Sequence, residues 1–115
     1  MGTFIYNGTL TVDFEDRLLA HLQFVITNKL RRDESFSFSW TTADDSGGGR
    51  TSVWLDRRIP IVFDFSTSAL PALNREWAES LMRTAHRDGR LQIVPETNER
   101  VAVSEKRGAI PANRT

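Results

Sequence analysis

Cysteine is absent from this 115-residue chain, which removes disulfide staples, thiol nucleophiles and cysteine-ligated zinc together. Long apolar runs are absent too: no stretch approaches the ~18 residues that a membrane-crossing helix needs. The opening residues, Met1 to Gly8, lack the basic start and apolar stretch of a secretory signal. A cytoplasmic protein with no membrane partner is the expectation. An excess of one charge is also missing, since fifteen Lys and Arg balance fifteen Asp and Glu, whereas gripping a nucleic-acid backbone calls for a basic excess. Histidine is scarce. His21 and His86 stand alone, at no metal-ligand spacing, so no metal site and no cofactor is expected.

What is present is ordinary for a globular protein: 39% hydrophobic and 10% aromatic residues, enough to exclude wholesale disorder. The length allows one domain. We place it at residues 1–97, followed by a disordered tail over 98–115, where the apolar periodicity stops and Gly108 and Pro111 interrupt the chain.

Tyr6-Asn7-Gly8-Thr9 is the strongest local signal, because Asn-Gly between β-rich flanks favours a type I′ hairpin turn. It joins a strand at 3–6 to one at 9–13. From residue 15 to 31 the period changes. Leu18, Leu19, Leu22, Val25, Ile26 and Leu30 share one helical stripe, with Asp13 as the expected N-cap. Phe36, Phe38 and Trp40 then alternate with Ser35, Ser37 and Ser39 in the period of a strand. After a polar loop from Asp44 to Arg50, strands are expected over 51–56 and 59–65, with Pro60 at a strand start or edge. A second helix spans 74–88, capped by Asn74 and closed by Gly89, and a last strand runs 91–94. The order ββαβββαβ implies an α+β fold, a two-layer sandwich of one antiparallel sheet with both helices on one face.

Positive signs of chemistry are few. Asp44-Asp45 beside three glycines lacks the alternating ligands and closing Glu of an EF-hand. Gly47-Gly48-Gly49-Arg50-Thr51 lacks the Lys and the following helix of a P-loop. No catalytic residue is assigned, and nothing positive supports an enzyme. Two surfaces remain. If the aromatic side of the Phe36 strand is buried, the opposite side carries Ser35, Ser37, Ser39, Ser52 and Trp54, joined by Thr9, Thr11, Ile5 and Val62. This is a flat hydroxyl face with one aromatic anchor, suited to self-association or a protein partner. The alternative is an accessory nucleic-acid binder using Arg31, Arg32, Arg57 and Arg58, with Arg50 and Arg75 also at element ends and Trp54 for stacking.

Several segments taken as a set resemble a known family: Met1-Gly2-Thr3 with Tyr6, Asp16 to Gln23, Lys29 to Arg32, Glu34 to Trp40, Trp54-Leu55, Ile59-Pro60, Asn74-Arg75 with Trp77, and Val94-Pro95-Glu96. They are similar to small uncharacterised actinobacterial proteins over residues 1–96, and some members carry the automatic label ATP-dependent DNA ligase. That label implies a Lys that takes AMP in a Lys-x-Asp-Gly frame. Lys29 and Lys106, the two lysines, both lack the frame, and its one match, His86-Arg87-Asp88-Gly89, has His in the lysine's place. The resemblance therefore carries over no catalytic residue.

Overall fold

The computed structural model describes residues 1–42 and 48–96 and the backbone of 103–105. Its elements are β1 (Gly2–Tyr6), β2 (Leu10–Phe14), α1 (Asp16–Arg31), β3 (Phe36–Thr42), β4 (Gly49–Leu55), β5 (Ile61–Asp64), α2 (Arg75–Asp88), β6 (Arg90–Gln92) and β7 (Val103–Glu105). Up to β6 they follow the order ββαβββαβ, an α+β fold. The acidic part of the polar loop, with Asp44-Asp45, lies outside the described residues. So does the tail beyond residue 97, apart from β7.

Local chemistry places the first hairpin. Asn7 and Gly8 both take positive φ, 53° and 71°, as a type I′ turn requires, and β1 pairs antiparallel with β2 in the register Phe4↔Val12. The other edge of β1 takes β5, with Phe4↔Phe63. Pro60 directly precedes that edge strand and its carbonyl accepts from the Asn7 N–H at 2.8 Å. β7 extends the far side of β2.

The strands divide into two sheets where one antiparallel layer is expected: β5-β1-β2-β7, and a second of order β4-β3-β6. Within the second sheet β3 pairs antiparallel with β4 and parallel with β6. Packing is the physical reason. The aromatic side of β3 meets the inner side of β1 and β2 face to face, with Phe4 against Phe38 at 5.5 Å and 90° and Phe14 against Trp40 at 6.2 Å and 86°. Edge-to-face aromatic contacts of this kind hold two layers together without joining them by hydrogen bonds. Phe38 and Trp40 thus pack against the first sheet, while the ring centre of Phe36, in the same core, lies 5.3 Å from Lys29 Nζ of α1.

Both helices complete the same core. Leu18, Leu19, Leu22, Val25 and Ile26 of α1 join Trp77, Leu81 and Ala85 of α2 and Leu91 of β6. α2 starts at Asn74, whose side chain accepts from the N–H groups of Glu76 and Trp77, and ends at Gly89 with φ 68°. The start of α1 differs from expectation. Its N-cap is Glu15, with no side-chain cap, and Asp13 stays in β2, where it accepts from the Thr3 hydroxyl at 2.8 Å. The chain remains extended there because Phe14 must still deliver its ring to the core, where it is fully buried.

Candidate functional site

The register of the second sheet settles which side chains share its outer face, because directly opposed residues of an antiparallel pair point the same way. Trp54 stands opposite Ser37, Ser52 opposite Ser39 and Arg50 opposite Thr41. From β6, Arg90 pairs with Ser37 and Gln92 with Ser39. Ser35 extends the row just before β3, and its hydroxyl donates to Asp56 at 2.8 Å. The five residues expected on a common face are brought together. They are not equally available: Trp54 is 54% exposed, whereas Ser39 is 2% exposed and takes a hydrogen bond from the Arg50 guanidinium at 3.3 Å.

The division into two sheets removes four residues from this surface. Thr11, Ile5 and Val62 lie on the outer side of the β5-β1-β2 sheet, in the register Ile5↔Thr11 and Ile5↔Val62, and Thr9 belongs to the turn before β2. Alternation within a strand assigns a side chain to a face but says nothing about which sheet that face belongs to.

At one end of the face, Asp56 accepts from the backbone N–H and guanidinium of Arg58 and from the Ser35 hydroxyl. The Arg58 backbone bond, followed by the two side-chain bonds, holds its carboxyl well below the usual aspartate range. Of the arginines considered for nucleic acid, Arg58 is thus engaged with Asp56, and Arg57 lies 3.5 Å from Asp33. Arg31 and Arg57 line one groove together with Ile26, Leu30 and Ile61, and Asp56 lines it too. Arg32 is exposed at the end of α1. Acidic residues are interleaved with the basic ones, so the cluster makes no basic stripe.

Histidine has a structural assignment. His21 is fully buried, with Nδ1 2.7 Å from the Arg17 carbonyl and Nε2 accepting from the Asn74 N–H at 2.7 Å. Its ring lies 4.5 Å from that of Trp77. Around it Arg17 Nε donates to Glu96 at 2.8 Å, Asn74 Nδ2 donates to the same carboxylate, and the Trp77 indole N–H donates to the Val94 carbonyl. Hydrogen bonds from Arg17 and then Asn74 hold the Glu96 carboxyl down to about 2. This cluster ties α1, the start of α2 and the segment after β6 together. Among the described residues no group of three or more acidic or histidine side chains is placed to hold a metal ion, and no helix is long and apolar enough to cross a membrane.

A second exposed apolar surface escapes the sequence reading. Phe24, Leu70 and Leu73 come together beside the α1–α2 crevice. The available signal was Phe24 itself, a large aromatic standing off the apolar stripe of α1.

The chain belongs to the family described as "Domain of unknown function (DUF7882)", whose model matches residues 1–96. No curated protein matches it, and no solved structure does.

Proposed function

We propose that this chain is a non-enzymatic interaction module that docks another protein on the outer face of the β4-β3-β6 sheet, with Trp54 as the anchor. One observation carries the reading: Trp54 is the largest side chain of that face and is 54% exposed, among neighbours as small as Ser37 and Ser52. An indole standing on a flat hydroxyl surface supplies apolar area and an N–H donor at once, the combination found at interface hot spots. Arg50 and Arg90 on the same face, and the Asp56–Arg58 pair at its end, would form a polar rim. The nucleic-acid reading has less support, because Arg57 and Arg58 are already paired with acids.

The test compares capture by the immobilised chain and by its Trp54→Ala variant from a lysate of the source cells. A protein held by the first and lost by the second, with unfolding midpoints unchanged, supports the reading. Loss of an anchor of this type weakens binding by about 2 kcal/mol or more, roughly thirtyfold. Identical capture profiles would remove Trp54 from its role.

A further inference from the structure

Six large apolar side chains are exposed among the described residues: Met1, Phe24, Trp54, Val62, Leu70 and Leu73. Three of these, Phe24, Leu70 and Leu73, gather at one place, at 42%, 54% and 47% exposure. Phe24 follows Leu22 by two residues, about 200° round the helix, so it stands on the back of α1, away from the stripe that fills the core. Together with Leu73 it walls two neighbouring hollows. One is lined by Ala20, Leu70 and Pro71 together with the polar side chains of Gln23, Asn28 and Arg31. The other is lined by Ala78 and Met82, with Arg75 and Glu79 at its rim.

Shape and charge commit this surface to one occupant. An apolar ridge beside a chiefly apolar hollow is complementary to itself under a two-fold rotation, because the ridge of each copy can enter that hollow of the other. Arg75 and Glu79 lie one turn apart on α2 and face the same hollow, and neither is in an ion pair among the described residues. With α2 antiparallel to α2 of a second copy, each Arg75 meets the Glu79 of the other. A purely acidic or purely basic peptide would match only one of the two charges.

We propose that the α1–α2 crevice is the interface of a two-fold homodimer, independent of the Trp54 face. Sedimentation equilibrium on the full chain, across a wide concentration range, tests this. A monomer–dimer equilibrium is expected, with a dissociation constant raised about tenfold or more by Phe24→Glu or Leu73→Glu. Arg75→Glu and Glu79→Arg should each weaken the dimer, and the two together should restore it, since the swap rebuilds both pairs. These charge variants lie outside the core, so the test does not depend on an apolar replacement being tolerated. A monomer at every concentration overturns the proposal, as does a dimer indifferent to Phe24→Glu or a double swap that fails to restore association. A dimer lost in Trp54→Ala and kept in Phe24→Glu overturns it too, and would move self-association to the sheet face, so the two readings fail separately.

Discussion

Acidification should loosen this protein through His21, and the geometry fixes both sign and slope. The Asn74 N–H points at His21 Nε2, and an N–H can donate only to an unprotonated ring nitrogen. The single proton of the neutral ring must then sit on Nδ1 and be donated to the Arg17 carbonyl. Burial lowers the histidine pKa below its ordinary 6.5, outweighing the favourable bond to the Arg17 carbonyl; the Arg17 charge lowers it further and Glu96 opposes. The folded state therefore binds fewer protons than the unfolded chain once the pH drops under that value. Stability is fully present above pH ~6.5 and falls with acidification until the folded pKa is reached, at no more than about 1.4 kcal/mol per pH unit.

Urea unfolding followed by tryptophan fluorescence, on the natural chain and on His21→Gln, reads this out. At about pH 8 the variant should be less stable by about 1–3 kcal/mol, because it disturbs buried hydrogen-bond partners and removes the ring packed against Trp77. The gap should narrow by up to about 1.4 kcal/mol for the first pH unit below 6.5, because only the natural chain then takes up the extra proton. Glu96, held at about 2 by Arg17 and Asn74, stays ionised throughout this window, and comparing the two chains isolates the contribution of His21. A gap that is constant between about pH 8 and pH 5 would refute the assigned protonation state.

Two further substitutions test the packing around this region. Gly2→Ala should destabilise by about 1–3 kcal/mol, since an added Cβ would stand 2.6 Å from Leu19 Cδ2, 2.8 Å from Asp16 Oδ1 and 3.0 Å from the Asp64 carbonyl; an unchanged calorimetric midpoint would mean that these neighbours yield freely. Asn74→Ala removes the cap of α2 and a bond to Glu96 and should cost about 1 kcal/mol by the same measurement, with no loss refuting the capping role.

Legibility in the sequence followed the range of the interactions. α2 was readable from end to end because Asn74, the Trp77–Ala85 stripe and Gly89 act within one helix. The β1–β2 hairpin was readable because Asn7-Gly8 carries its turn. The α1 cap is not legible in the same way, because the choice between cap and strand at Asp13 depends on where Phe14 packs, a tertiary matter. The partition into two sheets was likewise hidden, since period-two alternation is the same whether β1 and β3 are hydrogen-bonded or stacked. The row of Ser37, Ser39, Ser52 and Trp54 was legible because it needs only strand parity and the pairing of β3 with β4. The Phe24 surface was not, because Leu70 and Leu73 reach it from a segment distant in sequence.

The two-sheet arrangement also constrains how Trp54 can be used. Among the described residues β4 stands at the edge of its sheet, and a sheet edge ordinarily invites another strand to add to it. Ser37 donates its N–H to the Gly89 carbonyl on the β6 side, so the opposed Trp54 belongs to a pair that does not hydrogen-bond across β3 and β4, and its backbone polar groups point outward. The outward carbonyl is already occupied: the Tyr6 hydroxyl donates to it at 2.7 Å. A strand adding to β4 at this point would have to displace Tyr6 from the end of β1 and leave its hydroxyl to find another acceptor. The indole side chain carries no such obstruction. A partner anchored on Trp54, as proposed, would meet the face of the sheet, and removing the hydroxyl in Tyr6→Phe should leave its capture by the immobilised chain unchanged while freeing the Trp54 carbonyl at the edge.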